Sequence, residues 1–280
     1  MARENTVTLT GMVAQDPRLS KNPETDEYIF CAIQLLTVRK SYANREYLLK
    51  GLIRSDLIRV LSRNEELIRH SLSNVSAGEF IMIKGTLCTK EIPRTFICPE
   101  PDCNYEYVKE QAVSIYIDPI FCTKIHEPIL DEQERERYLD TLIEVSNDIK
   151  IFGTLCRTPE YYETETHLRQ CQFQLATNRI RRIREDGPDK RTDYPWVKVF
   201  GERALECAQS LRMNSTIYIN GAIQVRTPDQ VIICPRCGKT YRKKVTTMEI
   251  VPYHIEYINN CTIPESQREE EEGLDFEEKQ

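Results

Sequence analysis

NDIKIFG at residues 147–153 reads as an amphipathic strand, and the same pattern stands at 5–11 as NTVTLTG. Working outward from this pair, CAIQLLTVR at 31–39 returns as CQFQLATNR at 171–179, and FIMIKG at 80–85 returns as TIYING at 216–221. Ile97-Cys98 returns as Ile233-Cys234, opening a cysteine pair in each copy. The offsets are 142, 140, 136 and 136, so order and spacing hold apart from small insertions and deletions. A period this long implies two duplicated units rather than a solenoid.

Each unit alternates apolar and polar residues over short stretches, the signature of half-buried strands. In unit one these are 5–11, Ile29–Leu35, Phe80–Ile83 and Val113–Ile117; the third strand is read at 47–54, YLLKGLIR, and a helix at Ser55–Ser73, with Leu57, Ile58, Leu61, Leu67 and Ile68 at helical spacing. Unit two gives strands near Ile149–Leu155, Gln170–Thr177, Tyr194–Phe200, Thr216–Asn220 and Thr246–Val251, with a helix near Glu202–Leu211. The order strand–strand–strand–helix–strand–strand is that of a five-stranded OB barrel. The expected fold is therefore mainly β: two tandem five-stranded OB-fold barrels, a possible zinc-binding hairpin pair and a disordered acidic tail. The expected boundaries are 1–126 for a divergent barrel, 127–145 for a helical linker, 146–258 for the second barrel and 259–280 for the tail. In the linker, Ile129, Leu130, Tyr138, Leu139, Leu142 and Ile143 form one apolar stripe, suited to packing on a barrel or to dimerisation.

Hydrophobic residues make up 40% and charged residues 29% of the 280, as in globular proteins. No apolar run approaches the roughly 18–20 residues of a bilayer span, so no membrane partner is expected. The N-terminus shows no secretory h-region, and cytoplasm is the expected location. The net charge of −6 resides entirely in 265–280, where eight acids face Arg268 and Lys279. Residues 178–244 carry fifteen Lys/Arg against seven Asp/Glu, whereas 127–144 carry seven acids against two arginines. A basic segment in unit two and an acidic tail imply separate partners.

The basic segment ends in YPWVKVF, 194–200. By strand alternation Val197 and Val199 face a core, while Tyr194, Trp196, Lys198 and Phe200 share the opposite face. The loop before it brings Arg179, Arg181, Arg182, Arg184, Lys190 and Arg191, turning at Asp186-Gly187-Pro188. Aromatic rings stack on bases and cations neutralise phosphates, so the pattern points to single-stranded nucleic acid. Packing under a loop or at an oligomer contact would use the same rings.

Here the residues reach a family. Asn147–Gly153, QCQFQLATNR, DYPWVKVFGERALECAQSL, TIYINGAIQVR and TTMEIV closely resemble the bacterial-type single-stranded DNA-binding protein (SSB) family. By that resemblance Tyr194 and Phe200 fall at base-stacking positions, 179–191 in a loop that wraps DNA, and 222–246, with Arg226, in the fourth-to-fifth-strand hairpin. Arg181 stands where the family often has an aromatic, and Trp196 lies two residues after the usual one. Unit one resembles the family less: Asn5–Gly11, Asp16-Pro17 and QLLTVRK fit, and an insertion is placed in its helix region. Arg39, Lys40, Tyr42, Arg45, Tyr47 and Lys50 are its candidate DNA contacts, and a purely architectural or dimer-forming barrel is the alternative. The resemblance implies a non-enzymatic single-stranded DNA binder serving replication, recombination or repair. A partner-binding scaffold and an RNA-binding OB protein are the rival readings. Family members commonly assemble four OB units, which implies a homodimer here. They also end in acidic tails that dock replication or repair proteins, and Leu274, Asp275 and Phe276 follow the acids in this chain; Glu-Glu-Lys-Gln after them departs from the family pattern.

CPEPDC at 98–103 and CPRCG at 234–238 both fall in the fourth-to-fifth-strand hairpins. A Cys-x-x-Cys knuckle is half of a zinc site, and structural zinc takes four ligands. The expected site joins Cys98, Cys103, Cys234 and Cys237 across the units, with structural zinc as cofactor. Zinc shared between chains, His254 or Cys88 as stand-in ligands, and metal-free turns are the alternatives. The other cysteines read as core residues. The four histidines are scattered, and no phosphate-binding glycine loop or H-E-x-x-H is present, so catalysis is not expected.

Overall fold

The computed structural model describes residues 4–40, 53–166, 168–179, 181–183 and 190–262, without the side chains of Lys40, Ile53, Lys109 and Glu110. Unit one runs β1 (Asn5–Val13), β2 (Arg18–Lys21), β3 (Tyr28–Lys40), β4 (Ile53–Ser62), α1 (Glu65–His70), β5 (Phe80–Ile97) and β6 (Glu106–His126). Helix α2 (Glu132–Thr141) follows. Unit two runs β7 (Asn147–Leu155), β8 (Glu160–Glu163), β9 (Arg169–Asn178), β10 (Thr192–Asp193), β11 (Trp196–Phe200), α3 (Glu202–Ser210), β12 (Thr216–Arg226), β13 (Asp229–Ile233), β14 (Thr240–Lys244) and β15 (Thr247–Asn259).

Both units close by the same pairings. In unit one β1 pairs with β3 and β5, β3 with β4, β4 in parallel with β6, and β6 with β5. In unit two β7, β9, β11, β15 and β12 close the same ring, again with one parallel contact, Val197 opposite Ile250. The helix after the third strand, and this ring, are the OB arrangement. Strict alternation builds the cores: β7 buries every second residue, and Ile149, Ile151, Phe173, Leu175, Val197, Ile219 and Ile250 are fully buried. The repeated glycines 85 and 221 sit where the fourth strand crowds the fifth. A Cβ at either would lie 2.5 Å from a carbonyl oxygen, of Asp118 or Val251.

The barrels join through β1 and β7, antiparallel, with Val7 opposite Ile149, so one continuous sheet runs through both. A buried ion pair recurs in each unit and reaches across the join. Arg39 Nε donates to Asp56 at 2.6 Å, and Asp56 accepts from the Val225 amide at 2.6 Å. Arg179 Nε donates to Asp193 at 2.6 Å, and Asp193 accepts from the Thr89 amide at 2.6 Å. Asn5 and Asn147 add a second repeated device, each bonding in both directions to one backbone residue, Leu87 or Ile223.

Three expectations change. The third strand of unit one is 53–62, not 47–54, and its helix is only six residues long. Ile58, Val60 and Ser62 alternate inward while Leu57 and Arg59 face out, a period-two pattern in which β-branched residues favour the strand. The extra residues of unit one therefore lie between β3 and β4, where 41–52 fall outside the described residues. Second, Leu130 is 93% exposed, while Ile129, Tyr138, Leu139, Leu142 and Ile143 pack on Phe80 and Val38 of unit one. Third, the chain stays folded to Thr262, whose amide bonds to the Ser210 carbonyl. Cys156 is exposed, unlike the buried Cys31, Cys88, Cys122, Cys171 and Cys207.

Candidate nucleic-acid interface

The outer face of unit two is built from β8, β9 and β11. Register places Phe200 beside Gln170 and Gln170 beside Tyr162, so two rings flank a glutamine across three strands. The next row inward is Lys198, Gln172 and Glu160; the row after it pairs Trp196 with Gln174. Behind this face Val197 and Val199 are buried in the core. Tyr162 is 62% exposed and Tyr194 41%, whereas Trp196 and Phe200 are half-buried.

Cations frame the rings. The Arg157 guanidinium lies 5.1 Å from the Trp196 ring centre and donates to Gln174 at 3.2 Å. Lys198 Nζ lies 6.0 Å from the Phe200 ring and 3.9 Å from Glu249, which also faces Arg226 at 3.6 Å. Burial pushes the Lys198 ammonium below its ordinary pKa, against the attraction of Glu249 and with the help of Arg226. An incoming phosphate would restore the preference for the charged form.

The expected loop cations divide. Arg179 and Arg39 leave the interface: both are buried in their ion pairs with Asp193 and Asp56, because an unpaired buried carboxylate is costly. Arg181 pairs with Asp118 and donates to the Pro119 carbonyl at 3.0 Å, and Lys190 donates to the Thr89 carbonyl at 2.7 Å, so both are tied to unit one. Arg182, Arg191 and Arg226 are exposed. Arg184, Tyr42, Arg45, Tyr47, Lys50, Leu274, Asp275 and Phe276 lie outside the described residues, as does the side chain of Lys40. In unit one, register puts Leu57, Arg59, Leu61 and Arg63 where unit two has Tyr194, Trp196, Lys198 and Phe200, since Ile33–Val60 corresponds to Phe173–Val197. That face keeps cations and lacks rings. Tyr162 and Arg157 escaped the sequence reading; the signal for Tyr162 is EYYE, a short strand with nothing apolar enough to bury.

The four cysteines converge. Cys98 Sγ lies 3.7 Å from Cys237 Sγ, and Cys103 Sγ 3.8 Å from Cys234 Sγ. All four sulfurs lie within 4.8 Å of one another, close enough to hold one metal ion. The Cys234 thiol is drawn down to about 7 by the Cys237 amide, against the cost of burial. Phe96, Ile232 and Val245 pack beneath the two hairpins, and the Tyr107 and Tyr241 hydroxyls meet at 3.2 Å.

Residues 146–252 match the model of the single-strand binding protein family. The chain is 30% identical over 105 residues, 38% of its length, to single-stranded DNA-binding protein 1 of Chlorobaculum tepidum. The chain spans 60% of the length of that curated relative. In fold, the whole chain is similar to the crystal structure of the single-stranded DNA-binding protein from Thermus aquaticus, with TM-score 0.57 and 14% identity over 94% of this chain and 97% of that one. A deletion mutant of the same protein aligns with TM-score 0.55 and 17% identity, covering 95% of this chain and 100% of that one. The SSB likeness in sequence thus resides in unit two, whereas the likeness in fold extends over both barrels.

Proposed function

We propose that this chain binds single-stranded DNA on the outer face of unit two, without catalysis, protecting it during replication, recombination or repair. The observation that carries the reading is the face of partly exposed rings, Trp196 and Phe200 on β11 and Tyr162 on β8, set with cations, within the segment that matches the SSB family. Bases stack on the rings, each contributing about 1–3 kcal/mol, while Lys198, Arg157, Arg182, Arg191 and Arg226 meet phosphates. Because the valines behind the rings are locked in the core, the rings are presented without reorganisation.

Zinc fits the cysteine quartet: four thiolates from two knuckles within reach of one ion are a structural donor set. Zinc bound there would clip the hairpins of the two barrels together. The homodimer, a cytoplasmic site of action and the docking of replication or repair proteins by the acidic tail are part of the same proposal, resting on family resemblance. Titration of labelled oligo-dT and oligo-U at several salt concentrations tests the central claim. Tight, salt-dependent dT binding is expected; binding of dT that ignores salt, or tighter binding of oligo-U, would reject it.

A further inference from the structure

Between the β5–β6 and β13–β14 hairpins lies an open cavity of about 320 Å³. Both units supply its polar wall: Arg59 and Arg94 from unit one, Lys243 and Lys244 from unit two. Ile92 and Met248 contribute apolar surface, and among the described residues no carboxylate lines it. Four cations around an apolar floor suit a polyanion with flat or apolar bodies between its charges.

Bonds across the groove hold two of the cations in place. Arg94 donates to the Thr246 carbonyl at 3.3 Å, and Lys243 donates to the Thr95 carbonyl at 3.4 Å while lying 5.1 Å from the Phe96 ring. Position supplies the rest. The Tyr194 amide donates to the Thr89 hydroxyl of unit one at 3.0 Å, three residues before Ile92 of the groove, so the Tyr194 end of the aromatic face adjoins the groove's unit-one wall. On the far side Arg59 occupies the place that Trp196 holds in unit two. The groove therefore connects the two equivalent faces.

We propose that single-stranded DNA crosses from the aromatic face of unit two onto unit one through this groove, its phosphates held by Arg59, Arg94, Lys243 and Lys244. This rests on the single-stranded DNA reading above. Unit one then acts as a phosphate rail, and unit two as the stacking platform.

Arg59 and Lys244 are exposed on strand surfaces, so the pair R59A/K244A tests the crossing in the full-length chain. Each lost phosphate contact lowers the slope of log K against log salt by about 0.7 for single strands, so the double variant should lose about 1.4. The loss is expected on a dT oligomer long enough for two barrels, and not on one of about eight nucleotides, within the site of a single OB fold. Removing the same charge at Lys84 and Arg137, outside the groove, should leave the long-oligomer slope unchanged. An unchanged slope in R59A/K244A, with wild-type dT binding intact, overturns the crossing and leaves the stacking reading standing. Equal losses on short and long oligomers, or from the control pair, would reduce the cations to a diffuse field and overturn it as well. Wild-type chain that fails to bind dT removes the reading beneath both.

Discussion

At the residue scale the informative contrast lies between arginines that look alike in sequence. Arg39 and Arg179 end the repeated stretches TVR and TNR, and each is buried on an aspartate 17 or 14 residues later. Charge is legible in a sequence; its partner is not, which is why both were expected at the DNA surface. Replacing Arg179 by Ala should cost about 3–5 kcal/mol of stability, since Asp193 would stay buried and unpaired. Denaturant unfolding monitored by circular dichroism measures it. Arg226, by contrast, is exposed, so Arg226→Ala should leave the unfolding midpoint in place and weaken DNA binding alone. The rings behave differently again. Trp196→Ala with Phe200→Ala should weaken oligo-dT binding by at least about tenfold with the fold retained, and Tyr162→Ala alone by roughly fivefold or more. Anisotropy titration decides: unaltered affinity in the Trp196/Phe200 double variant would assign the rings to packing.

At the element scale, alternation made most strands readable, because a barrel wall has one buried and one exposed face. The third strand of unit one was misplaced because Leu57, Ile58 and Leu61 satisfy a helical period as well as a strand period over so short a span. Only the pairing of Cys31–Lys40 with Ile53–Ser62 resolves them as strand. The cysteine hairpins were legible for the opposite reason: equivalent places in a duplicated chain bring both pairs to one end of a closed body. Purified chain should therefore hold about one zinc ion, and Cys234→Ser should lose it. Less than about 0.2 zinc per chain by elemental analysis would reject the site, since a structural site is nearly full. Chelation should also lower Tm by at least about 5 °C if the ion stabilises the folded form by a few kcal/mol.

At the scale of the whole molecule, the repeated Arg–Asp pairs make each barrel a structural part of the other. Asp56 of unit one accepts from the Val225 amide of unit two, and Arg39 donates to Gln224 at 2.8 Å. Asp193 of unit two accepts from the Thr89 amide and hydroxyl of unit one. With the β1–β7 pairing and the hairpin clasp, these contacts join the barrels at four places. Independent unfolding would expose Val7 and Ile149 on unpaired edge strands and leave buried amides unsatisfied, so one cooperative transition is expected. The chain's single tryptophan, Trp196, lies in unit two and reports on that unit alone. Asp56→Ala in unit one should cost about 3 kcal/mol or more by stranding Arg39. If the barrels unfold together, the denaturation midpoint read from Trp196 fluorescence must fall with the midpoint read from circular dichroism. A Trp196 midpoint that stays at the wild-type value while circular dichroism shows an earlier phase would mean that the barrels are thermodynamically separate, and that the shared sheet joins them without coupling them.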